Sequence, residues 1–502
     1  MNVTAHVEVE RKYKVGGGYS LPDLREVTGL STAAEPRTLT LTARYYDTAD
    51  LRLARRGITL RRRTGGTDDG WHLKLPRAKG GRDEIQAPAG EAASPPPAEL
   101  AGLLLAHTRG LPLVAVAEIR TDRTERELLD RGGTVLAQLV DDRVTGVRLE
   151  PREEGVVTWR ELEVELVDGE EDVLDAVGEH LTGSGAQASQ ESNKLSIVLG
   201  VAPAPDGYSG EMRSTVQVMS AYLSAQAARM LAYDPRVRLA DHDDDSVHKM
   251  RTSIRRFRSI LRTHRTILDR SRVKPLDAEL TWLSDALGEV RDLEVLQARF
   301  RAQLAGLPGG RSEPGWLLDM RHQELQARER LRGVLRSQRY LALLDRIDAM
   351  VTDPPVRRKA HKAARKQQRK IVARTRRRMT DAYREAGKAP RGEDRDAALH
   401  KTRKAAKRLR HTAEAAKPVL GKRAAKIARR AEKLQDVLGD NQDRIVAAGR
   451  LERMAPEPGG ASDASDAYTL GALTTLQRYD DPLTDLPSTW RKAADPKLVK
   501  RL

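Results

Sequence analysis

The feature that most constrains this chain is a change of hydrophobic period near residue 202. Before it, short runs alternate apolar and polar residues with period 2: His6–Val15, Leu39–Tyr46, Gly57–Arg63, Trp71–Pro76, Val114–Glu127, Thr134–Asp141, Thr158–Val167 and Leu195–Leu199. Turn-forming residues separate the runs, which predicts antiparallel strands joined by short connections. Helices are expected among them near Pro22–Thr28 and Glu170–Leu181. Residues 202–211 (APAPDGYSGE, Ala202–Glu211) read as a linker, so the first domain is placed at 1–201. From there the period is 3.6. Helices are predicted at roughly 211–232, 244–268, 273–304, 314–337, 338–351, 355–387, 394–417, 420–438 and 441–454. Breaks fall at Gly306–Pro314, Pro354–Pro355 and Pro456–Asp466, the last reading as a flexible insertion. The fold class is therefore multidomain α and β, a sheet or barrel followed by an all-α unit.

The second unit is duplicated. His248-Lys249-Met250-Arg251, followed by Arg255, Arg256 and Arg258, matches His400-Lys401-Thr402-Arg403, followed by Lys407, Arg408 and Arg410, at an offset of 152. Leu283–Gly288 with Asp292 matches Leu434–Gly439 with Asp443 at an offset of 151. Two matches at nearly one offset predict two copies of a helical unit, about 212–352 and 355–455, packed as paired bundles. The tail to residue 502 has no assignment.

Charge divides with the domains. Residues 1–200 hold 26 Lys/Arg and 33 Asp/Glu, a net of −7, and the remainder 63 and 39, a net of +24. The helical unit is expected to meet a polyanion. With no cysteine, disulfides and thiolate metal sites are excluded. No secretory signal and no 18-residue apolar run are present, which predicts a soluble cytoplasmic protein with no membrane association.

The strands of the first domain carry charge on one face. Glu8, Glu10 and Lys12 share a face, as do Arg61 and Arg63, and Glu161, Glu163 and Glu165; Lys74 lies between Leu73 and Leu75, and Glu118 and Arg120 alternate with Ala117 and Ile119. A sheet with one solvated face explains the pattern equally well. If the sheet closes, the charges line a tunnel. Arg and Lys would there pair with phosphate oxygens, and the carboxylates would need a hard divalent cation to tolerate that ligand.

Six blocks in order carry a resemblance: Glu8-x-Glu10-x-Lys12, Tyr45-Tyr46-Asp47-Thr48, Leu53 to Arg63, Trp71-x-x-Lys74, Glu161-x-Glu163 and Ser192-Asn193-Lys194. Over residues 3–200 the chain resembles the CYTH, or triphosphate tunnel metalloenzyme, family. The resemblance implies an eight-stranded antiparallel β tunnel with Mg²⁺ or Mn²⁺ as cofactor, hydrolysing inorganic triphosphate or a related triphosphate. It implies Glu8, Glu10, Glu161 and Glu163 as metal ligands, with Glu8, Glu10, Lys12 and Glu163 as the catalytic set. It implies Lys12, Arg61, Arg63, Lys74, Arg82, Arg120 and Lys194 as the phosphate cradle. Glu118, Glu165 and Asp142 are further candidates.

In the helical unit, His248, Arg251, Arg255 and Arg258 fall within about 80° on a helix, given about 100° per residue. An apolar stripe of Val247, Met250, Ile254, Phe257 and Leu261 lies one residue away. His400, Arg403, Lys407 and Arg410 repeat this beside Leu399, Thr402, Ala406, Leu409 and Ala413. Arg357–Arg378 adds 12 Lys/Arg and no acid, which by itself reads as a solvated face. Over about 212–455 these residues resemble the CHAD family, the conserved-histidine α-helical domain. That resemblance implies two pseudo-symmetric bundles that bind inorganic polyphosphate through the eight stripe residues, with Lys249, Lys401, Lys404 and Arg408 contributing, and association with polyphosphate granules. The expectation is a metal-dependent triphosphatase with a polyphosphate-binding half; a non-catalytic polyphosphate-binding protein is the alternative. Nucleic acid is disfavoured, because the basic helices have almost no aromatic residues for base stacking.

Overall fold

The computed structural model describes residues 4–33, 35–66, 68–77, 81–90, 95–150, 155–189, 193–203, 211–239, 245–307, 313–454, 464–479 and 482–500. The chain divides into two units, Met1–Pro205 and Asp206–Leu502. Among the described residues, no helix is long and apolar enough to cross a membrane. Ser192, the linker core 204–210 and the segment 455–463 lie outside the described residues.

Unit 1 is one antiparallel sheet of eleven segments: β1 (Thr4–Glu8), β2 (Glu10–Val15), β3 (Thr32–Ala33), β4 (Arg37–Asp47), β5 (Thr59–Thr64), β6 (Gly70–Pro76), β7 (Arg82–Pro88), β8 (Val114–Leu129), β9 (Val135–Arg148), β10 (Val156–Leu166) and β11 (Gln187–Ala188). The order β1-β7-β6-β5-β4-β8-β9-β10-β2 begins and ends on the same stretch of chain. Its first half pairs with β7 and its second half with β10, broken only at Val9. That shared strand closes the sheet. Taking 4–15 as one strand and setting aside the two-residue pairs β3 and β11 leaves the expected eight staves.

The barrel is inside out relative to a small soluble barrel filled with apolar side chains. Leu162 and Val164 of β10 and Tyr13 of β2 point outward, where they pack with Leu174, Val177 and Leu181 of α2 (Glu171–Gly183). The approach is close: a Cβ on Gly178 would stand 2.3 Å from the Tyr13 hydroxyl, so only glycine fits. The alternate residues of the same strands, Glu161, Glu163, Glu165, Glu10 and Lys12, turn inward.

Four elements differ from expectation. Leu195–Leu199 is not a strand but the body of α3 (Lys194–Leu199). Asn193 caps it by accepting from the Ser196 N–H at 2.8 Å, and Gly200 ends it at φ 64°, so the caps override the β-rich composition. β7 and α1 (Ala98–Thr108) were not expected. Residues 24–26 form only a 3-10 turn.

Unit 2 is helical: α4 (Thr215–Arg238), α5 (Ser246–Thr263), α6 (Arg270–Ala305), α7 (Gly315–Arg336), α8 (Gln338–Thr352), α9 (Ala364–Lys388), α10 (Glu393–Met454), α11 (Ala464–Tyr479), α12 (Leu486–Ala494) and α13 (Lys497–Lys500). The only non-helical residue within α10 is Gly421, at φ 61°. The expected break near 438–441 is absent; the helix runs through Gly439. The apolar stripes of both copies are buried, from Val247 to Leu261 and from Leu399 to Ala413.

The tail completes the second copy. α11 begins 149 residues after α7 (464 − 315) and α12 begins 148 after α8 (486 − 338), close to the repeat offset. Leu470 and Leu473 of α11 join Leu296, Phe300, Trp316 and Leu317 in one core with Ala447 and Leu451. Trp316 Nε1 donates to Thr469 Oγ1 at 3.1 Å, and Trp490 of α12 stacks on Tyr383 with centroids 3.7 Å apart. The second copy therefore extends beyond 455.

Candidate functional site

Closing the sheet gathers its inward charges around a cavity of about 250 Å³. Cross-strand register sets the neighbours, because paired residues share a face. Glu163 stands opposite Lys12, Glu165 opposite Glu10, Glu161 opposite Asp142, Glu8 opposite Arg82 and Lys74 opposite Glu84.

Three carboxylates, Asp142, Glu161 and Glu163, bring oxygens within 4.8 Å of one another. Lys194, placed by the first turn of α3, reaches all three: 3.0 Å to Asp142 Oδ2, 2.6 Å to Glu161 Oε1 and 2.8 Å to Glu163 Oε1. Burial opposes the Lys194 charge, yet Glu163, Asp142 and Glu161 together hold its pKa well above the ordinary lysine value. Glu163 is pushed the other way. Burial alone would raise it, but Lys12, Lys194 and Arg123 keep it well below the usual carboxylate range. Trp159 Nε1 donates to Glu161 Oε2 at 2.6 Å and fixes its rotamer.

A second group lies on the amino-terminal strand. Lys12 pairs with Glu10 at 2.9 Å and with Glu163, and Lys74 pairs with Glu8 at 2.5 Å and Glu84 at 3.3 Å. Arg82 approaches Glu10 at 3.8 Å. Glu8 Oε2 is buried without a hydrogen-bond partner. This all-oxygen donor set, with one acceptor unused, fits a hard divalent cation. Glu165 has its pKa pushed up to about 7 by burial, with Glu8, Glu10 and Glu163 adding to the rise.

Among the described residues, Arg61 makes no ion pair within 4 Å. Its Nη1 donates to the Tyr45 hydroxyl at 3.4 Å and its Nε has no acceptor. Arg63 is held by Asp68 of the β5–β6 turn.

Arg120 does not belong to this set. It is 66 % exposed and lies 3.9 Å from Asp122, on the outer face. Glu118 is on that face too, bound to Arg44 at 2.8 Å. The inner face of β8 carries Ile119, Thr121, Arg123 and Glu125. Arg123, which the sequence reading did not single out, takes the expected place of Arg120. It grips Asp142 with two bonds of 2.8 and 2.7 Å and reaches Glu163 at 3.3 Å. The parity was misread because this wall of the tunnel is partly apolar, with Leu39, Leu41, Ala43 and Ile119 facing in.

In unit 2 the two basic stripes come together. Arg255 feels the charge of Arg251 and Arg403, and Lys407 that of Arg255, Arg403 and Arg251. Burial, then these like charges, pull Lys407 down to about 6 and Arg255 to about 10. His248 and His400 are both lowered, by burial first and then by neighbouring cations. Among the described residues, Arg255, Arg403 and Lys407 make no ion pair within 4 Å. Arg258 and Arg410 differ. Arg258 is tied to Asp277 at 2.9 Å, and Arg410 to Glu414 at 2.9 Å and Glu432 at 2.7 Å. These two act as braces at equivalent places in the two copies.

The second sequence repeat also finds its reason. Gly288 lies under the Arg251 guanidinium, where a Cβ would stand 3.0 Å from Nη2; Gly439 lies under Arg403 in the same way, at 3.5 Å.

The CYTH domain family matches residues 6–195 and the CHAD domain family residues 221–452. Over 491 residues the chain is 34% identical to the uncharacterized protein Rv2226 of Mycobacterium tuberculosis (strain ATCC 25618 / H37Rv), covering 93% of this chain and 92% of that one. Uncharacterized protein MT2285 of strain CDC 1551 / Oshkosh matches at the same identity and coverage. Among solved structures, PptA from Streptomyces chartreusis is 23% identical with a TM-score of 0.44, over 56% of this chain and 99% of its own. The CHAD domain from the plant Ricinus communis is 21% identical with a TM-score of 0.46, over 56% and 92%. With both domains present in this order, and a relative 34% identical along nearly its whole length, the chain belongs to the family that joins a CYTH domain, the domain of triphosphate tunnel metalloenzymes, to a CHAD domain.

Proposed function

We propose that the tunnel hydrolyses inorganic triphosphate, or a related triphosphate, with a divalent metal, and that the helical unit binds inorganic polyphosphate. The observation that carries this reading is a closed barrel whose interior sets Lys12, Arg61, Arg63, Lys74, Arg123 and Lys194 against a buried group of carboxylates. Glu8, Glu10, Glu161 and Glu163 would hold Mg²⁺ or Mn²⁺. Such an ion supplies Lewis acidity toward phosphoryl oxygens when bound.

The remaining roles fall to the chain. Arg61, without a carboxylate partner, receives a phosphate oxygen directly, and Arg63 does so by releasing Asp68. Lys12 and Lys74 exchange carboxylate contacts for phosphate contacts as charge spreads over the transferring group. Water adds to the terminal phosphorus, the bond to the bridging oxygen breaks, and the diphosphate leaves. Glu165, titrating near neutrality, can take a proton from that water. In the helical unit His248, Arg251, Arg255, His400, Arg403 and Lys407 bind the polyphosphate chain, which would place the protein at polyphosphate granules.

Phosphate release from triphosphate with Mg²⁺ or Mn²⁺ tests the first half. Glu8→Gln and Glu163→Gln are each expected to lose at least a hundredfold, about 2.7 kcal/mol of transition-state stabilisation. Undiminished hydrolysis in both variants would sink the assignment. Triphosphate binding without release would leave a non-catalytic polyphosphate-binding protein.

A further inference from the structure

Unit 2 has a second concave site, away from the basic stripe. A cavity of about 360 Å³ opens between the end of α5, the first turns of α6, and the helices α9 and α10. Its volume lies in the range of about 300–1,000 Å³ usual for small-molecule sites. Six cations line it: Arg262, Arg265, Arg270, Lys274, Arg378 and Arg408. The only acid among the lining residues is Asp277, and that carboxylate is already taken by Arg258 at 2.9 Å and Arg262 at 2.9 Å. Asp277 thus stands between the last cation of the stripe and the first of the pocket.

Nothing else in the pocket balances the charge. Arg262, Arg378 and Arg408 come from three different helices and converge. The Arg408 pKa is lowered by burial and then by the charges of Arg262 and Arg378. Converging arginines that repel one another form a site that an anion would relieve. The floor is of another kind. Leu261, Leu268 and Val273 are 2 %, 1 % and 9 % exposed and border the same cavity. Inorganic polyphosphate has no apolar surface to lay on such a floor. A phosphorylated organic molecule has both parts, and arginine planes also stack on flat rings.

We propose that this pocket binds a small organic phosphate of the nucleoside diphosphate class, independently of both the tunnel and the stripe. Phosphates would sit among Arg262, Arg378 and Arg408, with the organic part over Leu261, Leu268 and Val273.

The test is calorimetric titration of the full chain with ADP in EDTA, which keeps divalent cations out of the tunnel. Two variants address the pocket, Arg378→Glu with Arg408→Glu, and Arg265→Glu with Lys274→Glu. Arg265 and Lys274 are both exposed, so the second pair decides the matter if the first unfolds. Both are expected to weaken ADP at least tenfold. Arg61→Ala in the tunnel and Arg251→Ala with Arg403→Ala in the stripe are expected to leave ADP affinity within twofold. Adenosine and inorganic pyrophosphate should each bind at least tenfold more weakly than ADP. The proposal is overturned if the wild-type chain does not bind ADP, or if the surface pair binds it as well as wild type. It is also overturned if ADP is lost only in the tunnel or stripe variants, or if pyrophosphate matches ADP.

Discussion

The two halves of this molecule arrange their buried charge in opposite ways. Among the described residues lining the tunnel, seven cations face seven carboxylates. There the opposite charges at its centre drive one another toward the charged form: Lys12 and Lys194 are raised, and Glu10 and Glu163 are lowered, despite burial, while Glu165 and Arg63 at its margins shift the other way. In the helical unit Arg255 and Lys407 are surrounded by like charges, and their shifts run toward the neutral form. A balanced site is stable without ligand and must break ion pairs to accept one. An unbalanced site is held together by its apolar seam and relaxes when an anion arrives. The first arrangement suits chemistry on a small substrate; the second suits retention of a long one.

The sharpest way to break that comparison is to remove the ammonium that balances three acids. Lys194→Met leaves Asp142, Glu161 and Glu163 facing one another in a buried site. Breaking a buried ionic cluster costs about 3–5 kcal/mol, so the thermal midpoint of unit 1 should fall by many degrees in EDTA. Mn²⁺ should restore part of the loss in the variant and add less to the wild type. An unchanged midpoint in EDTA would show that the carboxylates do not depend on Lys194.

The helical cluster should respond with the opposite sign. Lys407 has a folded pKa near 6, below the lysine value of 10.5, so folding expels a proton between those limits. Its cost is full below pH 6 and fades as pH rises toward 10.5. Lys407→Met should therefore raise the thermal midpoint, more at pH 5 than at pH 9. A lower midpoint at pH 5 would contradict the unbalanced picture.

Polyphosphate gives a second reading of the same group. Bound anion returns the Lys407 pKa toward its ordinary value, so binding takes up a proton above pH 6. Affinity should be greatest at and below pH 6 and fall as pH rises from 6 to 8, by up to about tenfold per unit. The groups facing Lys407 are Arg251, Arg255, Arg403 and Arg410, with His411 beside them. Arg255, lowered only to about 10, stays charged over this range. His248 and His400, whose pKa values lie below 6.5, add slope of the same sign at lower pH. Lys407→Arg should flatten the fall above pH 6, read by titration at three pH values.

How much of this was legible follows from the same contrast. Charges that alternate strictly with apolar residues, as in Glu161-Leu162-Glu163-Val164-Glu165, declared their face, and the structure turns them inward. The 118–126 stretch carries charge on both faces, so parity alone could not choose Arg123 over Arg120. The helix Lys194–Leu199 is too short for its period to show, and its caps at Asn193 and Gly200 were the usable signal. The Arg61–Tyr45 contact depends on the register of β4 and β5, and the grip of Lys194 on three acids on where α3 meets β9 and β10. No run of sequence contains that.

The duplicated glycines offer the finest test, because two copies of one device differ by half an ångström. Gly288 and Gly439 are inside helices, where glycine costs about 0.5–1 kcal/mol relative to alanine. Retaining them implies a packing reason. At 439 a Cβ would meet Arg403 at 3.5 Å, ordinary contact, so Gly439→Ala should stabilise the helix and leave polyphosphate affinity unchanged. At 288 it would meet Arg251 Nη2 at 3.0 Å and Nε at 3.3 Å, and the guanidinium must shift. Gly288→Ala should therefore gain less stability and weaken polyphosphate by a few-fold, about 0.5–1 kcal/mol in binding. Equal effects at both sites would mean that the glycines serve the backbone and not the arginines. Unequal effects in the stated order would show that each copy uses its glycine to seat a cation (Arg251 of α5 in the first, Arg403 before the Gly421 kink of α10 in the second), more tightly in the first copy than in the second.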